Sequence, residues 1–177
     1  QIDDPDGVGA ALHYSRLKPY LLPCANDFII FGKRYQRPEG NPGENIAYVK
    51  SDFDDSEWRH LNLPHDWAIE GPFNIDYNGS TGKLPYWGIR WYRKTLELSQ
   101  DDAGKQIYLD IDGAMSYVSV WCNGQYVGGW PYGYASFRLD LTPYIKAGQK
   151  NVLAIRLDNP DDTSRWYPGS GIYRNVW

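Results

Sequence analysis

The stretch Ser116-Tyr117-Val118-Ser119-Val120-Trp121-Cys122-Asn123-Gly124-Gln125-Tyr126-Val127-Gly128 reads as a β-hairpin. Val118, Val120 and Cys122 recur at every second position, which puts them on one face of a strand. Asn123-Gly124 follows at once. A two-residue type I′ turn needs φ > 0 at both centres, and Asn-Gly between alternating runs is the strongest short hairpin signal. Residues 125–128 are then the return strand.

The same period extends outward in both directions. Downstream, residues 136–141 put Phe137, Leu139 and Leu141 on one face, and residues 151–158 align Leu153, Ile155 and Leu157. Between them Thr142-Pro143 has the form of an N-cap followed by Pro at the first helical position, opening a single turn that Gly148 closes. Upstream, residues 105–112 group Ile107, Leu109 and Ile111. Residues 88–98 alternate Tyr92, Lys94, Leu96 and Leu98 against Trp91, Arg93, Thr95 and Glu97, so Lys94 must snorkel or sit near an exposed strand end. Residues 26–31 suggest a first strand, and residues 33–43, polar with two prolines, a loop. From Tyr14, Leu17, Pro19, Leu21, Leu22 and Pro23 suit an extended segment, not a helix. The Asp- and Gly-rich start, to about His13, reads as a flexible arm. Nowhere does a 3.6-residue period last the ~10–12 residues a helix requires. Many short strands joined by turn chemistry predict an all-β, antiparallel β-sandwich, with residues 1–25 as arm and lead-in and residues 26–177 as the sandwich domain.

Composition narrows the function. A chain of 177 residues is long enough for one domain with a core of its own, without staples. Aromatic residues make up 16%, and 8 Trp and 15 Tyr outweigh 5 Phe. Trp and Tyr carry a polar handle, so this bias suits a binding surface as well as a sheet core. A net charge of −4 argues against a nucleic-acid partner, whose binding rests on clustered Lys and Arg. No apolar run approaches the ~20 residues of a membrane span. Cys24 and Cys122 lie far apart and form no CxxC; they read as small hydrophobes, with a disulfide left open.

Few groups are arranged for chemistry. His65 and Asp66 adjoin in Leu63-Pro64-His65-Asp66-Trp67, but neighbours on an extended segment point to opposite faces, so the reading is a loop fixed by hydrogen bonds. Asp110 and Asp112 share a strand face opposite the Ile row, where solvated charges are expected in place of a hydrolytic carboxylate pair. Asp158, Asp161 and Asp162 lack the spacing of a calcium loop, and His13, His60 and His65 form no zinc cluster, so neither a metal nor a cofactor is expected. Asn78-Gly79-Ser80 matches a glycosylation acceptor, a three-residue pattern of low specificity. Two aromatic stretches are more telling: Pro85-Tyr86-Trp87-Gly88-Ile89-Arg90-Trp91 and Ser164-Arg165-Trp166-Tyr167-Pro168-Gly169. Sugars pack C–H faces on rings and offer hydroxyls to donors such as Arg. Rings on loops stay exposed only where something covers them, either a sugar or another domain of the same polypeptide.

Taken in order, Leu63-Pro64-His65-Asp66-Trp67, residues 88–94 (GIRWYRK), residues 120–128 (VWCNGQYVG) and residues 164–177 (SRWYPGSGIYRNVW) resemble the successive signatures of glycoside hydrolase family 2. The spelling is most similar to β-galactosidases of gut Bacteroidetes. The resemblance implies a jelly-roll, galactose-binding-domain-like sandwich at the head of a retaining exo-glycosidase, followed by an immunoglobulin-like domain and a TIM barrel. It places the two catalytic glutamates in that barrel, so no residue of this chain is expected to be catalytic. The domain's implied work is to brace the barrel and to lend the loop 158–169 to a carbohydrate site shared with it. Arg165 is the first candidate for reaching sugar, then Trp166 and Tyr167, with Asp158 and Trp87 beside them. Some members carry an acid near this point that touches sugar and a monovalent cation; Arg165 occupies its place here. Cys122 stands where the family commonly has an aliphatic residue. Glucuronidases and mannosidases share this domain, and a stand-alone carbohydrate-binding module is the rival reading. The Bacteroidetes-like spelling carries with it the expectation of export to the periplasm.

Overall fold

The computed structural model describes residues 1–3, 17–20, 29–30, 33–34, 37–77, 82–161 and 169–177. Asn123 and Gly124 have φ of 51° and 80°, so the Asn-Gly pair makes the turn it predicts, joining β6 (Val118–Cys122) to β7 (Gln125–Trp130). Asn123 also ties the hairpin to its neighbours. Its Nδ2 donates to the Tyr144 carbonyl and to Asn151 Oδ1, and its Oδ1 accepts from the Val152 amide.

That amide belongs to β9 (Lys150–Asn159), the central strand of a five-stranded antiparallel sheet ordered β1-β4-β9-β6-β7, with β1 at Ile2–Asp3 and β4 at Gly88–Glu97. β5 (Tyr108–Ile111) and β8 (Phe137–Asp140) pair separately. Residues 174–177 run along the far side of β5: the Trp177 and Asp110 backbones exchange two hydrogen bonds of 2.9 and 3.0 Å. A further short pair joins β2 (Ile29–Ile30) to β3 (Lys33–Arg34). Among the described residues the helical pieces include single 3-10 turns such as Ala47–Val49, Ala68–Glu70 and Gln100–Asp102. No helix among the described residues is long and apolar enough to cross a membrane.

Alternation sorts the side chains into two cores. Tyr92, Val118, Val120, Cys122, Leu153, Ile155 and Leu157 face the β5–β8 layer and pack on Leu109, Ile111, Phe137, Leu139 and Ile172. Trp91, Trp121, Tyr126 and Ala154 point the other way, onto Ile46, Val49 and Trp58. β7 serves both by alternation, Tyr126 joining the second core and Val127 the first, and a register shift between Val120 and Trp121 sets Tyr126 opposite Trp121. Both faces of β4 are therefore covered where Trp91 and Tyr92 sit. Toward its far end Lys94 reaches solvent, as the sequence requires of it. Arg93 is drawn into the second layer, where it pairs with Asp55 at 2.8 Å, donates to the Tyr48 carbonyl and lies over the Phe53 ring.

The outer edge of β7 is closed by side chains. Arg37 donates to the carbonyls of Tyr126 and Val127, and Asn41 gives Nδ2 to the Gly124 carbonyl and Oδ1 to the Tyr126 amide. These groups occupy the donors and acceptors that an incoming strand would use.

Four local expectations are corrected. The arm expected from Gln1 begins as a strand, Ile2 and Asp3 pairing with Trp91 and Arg90. Lys18–Tyr20 is a 3-10 turn, not extended; Pro19 fits within it because its fixed φ suits a helical first turn. Lys33–Arg34, expected in a loop, pairs with Ile29–Ile30. Thr142 does not cap the turn that follows it: its hydroxyl accepts from the Ile107 amide at 2.9 Å, and the turn closes on the Leu141 carbonyl. Gly148, with φ of 69°, ends that segment as expected.

Candidate functional site at the aromatic end of the sandwich

Gly88 opens β4 and Asn159 closes β9, and the two are partners in register. The chain before Gly88 and the chain after Asn159 thus leave the sheet side by side. This brings Tyr86 and Trp87 to the root of the predicted sugar loop. Trp87 is 38% exposed, while Tyr86 beside it is buried with its hydroxyl 2.5 Å from Asp161 Oδ1. The Tyr77 ring stands edge-on to Trp87 at 4.7 Å.

The loop's stem is closed by buried polar groups. Asn159 Nδ2 donates to the carbonyls of Tyr86 (2.8 Å) and Gly169 (3.1 Å) and lies 3.1 Å from Ser170 Oγ. Its Oδ1 accepts from Ser116 Oγ, which also reaches the Asp158 carbonyl. Ser170 Oγ donates to the Tyr86 carbonyl. Asn159, Ser116 and Ser170 are all buried, where such groups must find partners. Residues 159 and 169–170 are therefore held together by side-chain chemistry independent of the intervening sequence.

Of the five predicted contact residues, the structure describes two. Trp87 is at the surface of this end. Asp158 is buried, its carboxylate 2.9 Å from the guanidinium of Arg156, which is itself fully buried. A buried carboxylate of this kind requires such a partner. Arg165, Trp166 and Tyr167 lie outside the described residues, as do Asp162, Cys24, His13 and the Asn78-Gly79-Ser80 triplet.

His65 and Asp66 do not pair with each other. His65 Nδ1 meets the Tyr92 hydroxyl at 2.8 Å and Nε2 meets Glu70 Oε1 at 3.2 Å, while Asp66 Oδ1 accepts from the Ala68 amide. Burial lowers the His65 pKa against the opposing pull of Glu70. The Arg59 guanidinium, bonded to both Glu70 oxygens at 2.6 Å, holds that carboxyl at about 2. The segment is stitched to the loop's return arm by His65 N to Ile172 O and Trp67 N to Ser170 O. Asp110 makes a two-pronged pair with Arg138 at 2.7 Å, and Asp112 accepts from Trp177 Nε1; both stay partly exposed on the outer face of β5. Cys122 is a free thiol that burial pushes up to about 11. Among the described residues no three His, Cys, Asp or Glu side chains are grouped to hold a metal ion.

Sequence reasoning finds Trp87 but misses Asn159, Ser116, Ser170 and Arg156. The one available signal is Asn159-Pro160 directly after an alternating run, a strand stop with an amide at its tip.

The antiparallel sheets define a β-sandwich domain, and comparison with known proteins makes the assignment specific. Residues 48–177 match the family described as "Glycosyl hydrolases family 2, sugar binding domain". The chain belongs to glycoside hydrolase family 2, as the jelly-roll domain at the head of its enzymes. It is 49% identical over 138 residues to a β-galactosidase of Bacteroides ovatus, a match covering 76% of this chain and 16% of that protein. It is 40% identical over 158 residues to a protein named putative β-glucuronidase from Formosa agariphila, covering 84% of this chain and 15% of the other. Among solved structures, a β-glycosidase from Bacteroides vulgatus aligns with a TM-score of 0.68 at 42% identity, over 77% of this chain and 18% of that one. The chain thus spans about one-sixth of the length of the curated relatives it matches.

Proposed function

We propose that this chain is the non-catalytic head of a β-galactosidase-like retaining exo-glycosidase, and that it sets one wall of a sugar site completed by the rest of the polypeptide. The observation that carries this is the aromatic end itself: an exposed Trp87 beside a loop stem closed by Asn159. The residues of that loop that the sequence nominates are Arg165, Trp166 and Tyr167. Arg165 supplies planar paired donors to hydroxyls, and the rings offer faces to sugar C–H groups. Asp158 acts indirectly, its charge satisfied by Arg156 beneath the loop's root. The hydrolytic acid and nucleophile are two carboxylates outside this chain.

Arg165→Ala in the full-length enzyme tests the assignment. A loss of roughly tenfold or more in kcat/KM on a nitrophenyl β-galactoside is expected, equivalent to about 1.4 kcal/mol of transition-state binding. An unchanged kcat/KM would overturn the loop's role. The Formosa agariphila relative favours a second reading in which the sugar carries a carboxylate, as in a glucuronide. Comparing galactoside and glucuronide turnover by the same enzyme decides between them. Export to the periplasm is part of the proposal, and fractionation of the source cells tests it.

A further inference from the structure

A second pair of exposed rings stands at the end of the sandwich that carries Trp87. β7 ends at Trp130, which pairs with Val118 at the start of β6, and Ser119 next to it pairs with Arg156 near the end of β9. Residues 131–136 therefore leave the sheet at the end where Gly88 and Asn159 meet. β7 lies on the far side of β9 from β4, so this segment and Trp87 flank the stem of the predicted sugar loop from opposite sides. Their roots are three strand spacings apart, about 14 Å. Tyr132 and Tyr134 are 58% and 38% exposed, with their rings edge-on at 5.5 Å. Tyr77 and Trp87 make the matching pair on the other flank. The display is fixed from below. The Tyr173 hydroxyl donates to the Gly133 carbonyl at 2.7 Å, and the Tyr117 amide donates to the Pro131 carbonyl. Gly133 sits so close over Met115 that a Cβ there would lie 2.5 Å from its Cε.

The chemistry of the segment narrows what it can hold. Residues 131–136 read Pro-Tyr-Gly-Tyr-Ala-Ser, with no Leu, Ile, Val, Met or Phe among them. Its large exposed groups are thus two phenol rings, each an apolar face with a hydroxyl at the edge that both donates and accepts. A pyranose presents the complement, C–H groups on its face and hydroxyls around its rim. We propose that Tyr132 and Tyr134 form a second sugar subsite, which takes a further unit of a glycan whose terminal unit lies at Trp87 and the loop. A single sugar ring does not reach across about 14 Å, whereas a short oligosaccharide does. The leaving group is then itself an oligosaccharide, and its length is read by this domain. The inference rests on the reading of this end as a sugar wall and adds to it the class of substrate.

The test compares two substrates on the full-length enzyme, a β-linked galactotetraose and nitrophenyl β-galactoside, with Tyr132→Ala/Tyr134→Ala as the variant. The ratio of kcat/KM on the tetrasaccharide to that on the nitrophenyl glycoside is expected to fall about tenfold as the stacking rings are lost. Tyr132→Trp, which keeps a ring, should hold the ratio near its wild-type value. Tyr132→Ala alone serves if the double variant fails to fold, with a fall of about threefold expected. A ratio unchanged in the variant would overturn the proposal, whether both activities persist or both drop together; the second case would set the pair against another part of the polypeptide. Failure of the wild type to turn over the tetrasaccharide would overturn it as well. Arg165→Ala, assayed alongside on the nitrophenyl glycoside, keeps the two readings apart. A loss there, with an unchanged ratio in the tyrosine variant, sinks the second subsite alone and leaves the sugar wall standing.

Discussion

Replacing Gly171 by Ala should be among the most damaging single changes in this chain, for two separable reasons. Gly171 has φ of +108°, a conformation that costs an L-residue on the order of 1–3 kcal/mol. A Cβ built there also meets His65 O at 2.6 Å, Tyr92 Oη at 2.7 Å and Trp67 Cε3 at 3.2 Å. None of these yields easily. His65 is bonded through its backbone to Ile172 at 2.8 Å, and its ring holds the Tyr92 hydroxyl. Gly171 itself exchanges two backbone hydrogen bonds with Met115. Crowding a packed site in this way costs roughly another 1–3 kcal/mol. The sum, about 2–6 kcal/mol, lowers the urea midpoint by on the order of 1–3 M for an m-value near 2 kcal/mol/M. The assay is equilibrium urea unfolding followed by tryptophan fluorescence, with Gly104→Ala as the control. Gly104 has φ of +80° and open space around it, so only the backbone cost applies. If Gly171→Ala proved no worse than Gly104→Ala, the packing of residues 65–67 against residues 170–172 would be wrong.

Three further outcomes follow from the hydrogen-bonded and ionisable groups. Asn159→Ala removes donors to the Tyr86 and Gly169 carbonyls and should cost about 2–4 kcal/mol in the same unfolding assay. The two acidic-side transitions should be separable. His65 has its pKa lowered by burial, so it takes up a proton more readily when unfolded; stability is full above about 6.5 and falls below it, with a slope of at most about 1.4 kcal/mol per pH unit. Glu70 is depressed from 4.5 to about 2, so its contribution persists above 4.5 and disappears as pH falls toward 2. His65→Gln should abolish the first loss and leave most of the second, as read from unfolding midpoints across pH. Cys122, buried with its thiol near 11, should resist a disulfide reagent at pH 8 in the folded chain and react fully in denaturant.

How much of this was legible in the sequence depends on the range of the forces involved. The β6–β7 hairpin, β5, β8, β9 and the apolar row of β4 follow from period-two alternation and from Asn123-Gly124, all of them local. The second core was not legible. Trp91, Arg93 and Thr95 resemble a solvent face, and only tertiary packing brings the aperiodic residues 46–58 over Trp91 and Arg93. Thr142 shows why a local motif is not sufficient: the Ile107 amide, from a neighbouring segment, claims the hydroxyl that would have capped the turn. At the candidate site, Trp87 stood out because a ring flanked by Pro85 and Gly88 has no strand to pack on. Asn159, Ser116 and Ser170 did not, since a lone polar residue at a strand end looks the same whether it faces water or closes a loop.

The closed stem has a consequence for how such a domain can change. Asn159 makes its side-chain contacts to Tyr86, Gly169, Ser170 and Ser116, so the clasp itself does not draw on what lies between its two arms. A change between the arms therefore leaves the partners of Asn159 in place. For anyone wishing to graft a new loop onto this domain, the stem marks where to cut.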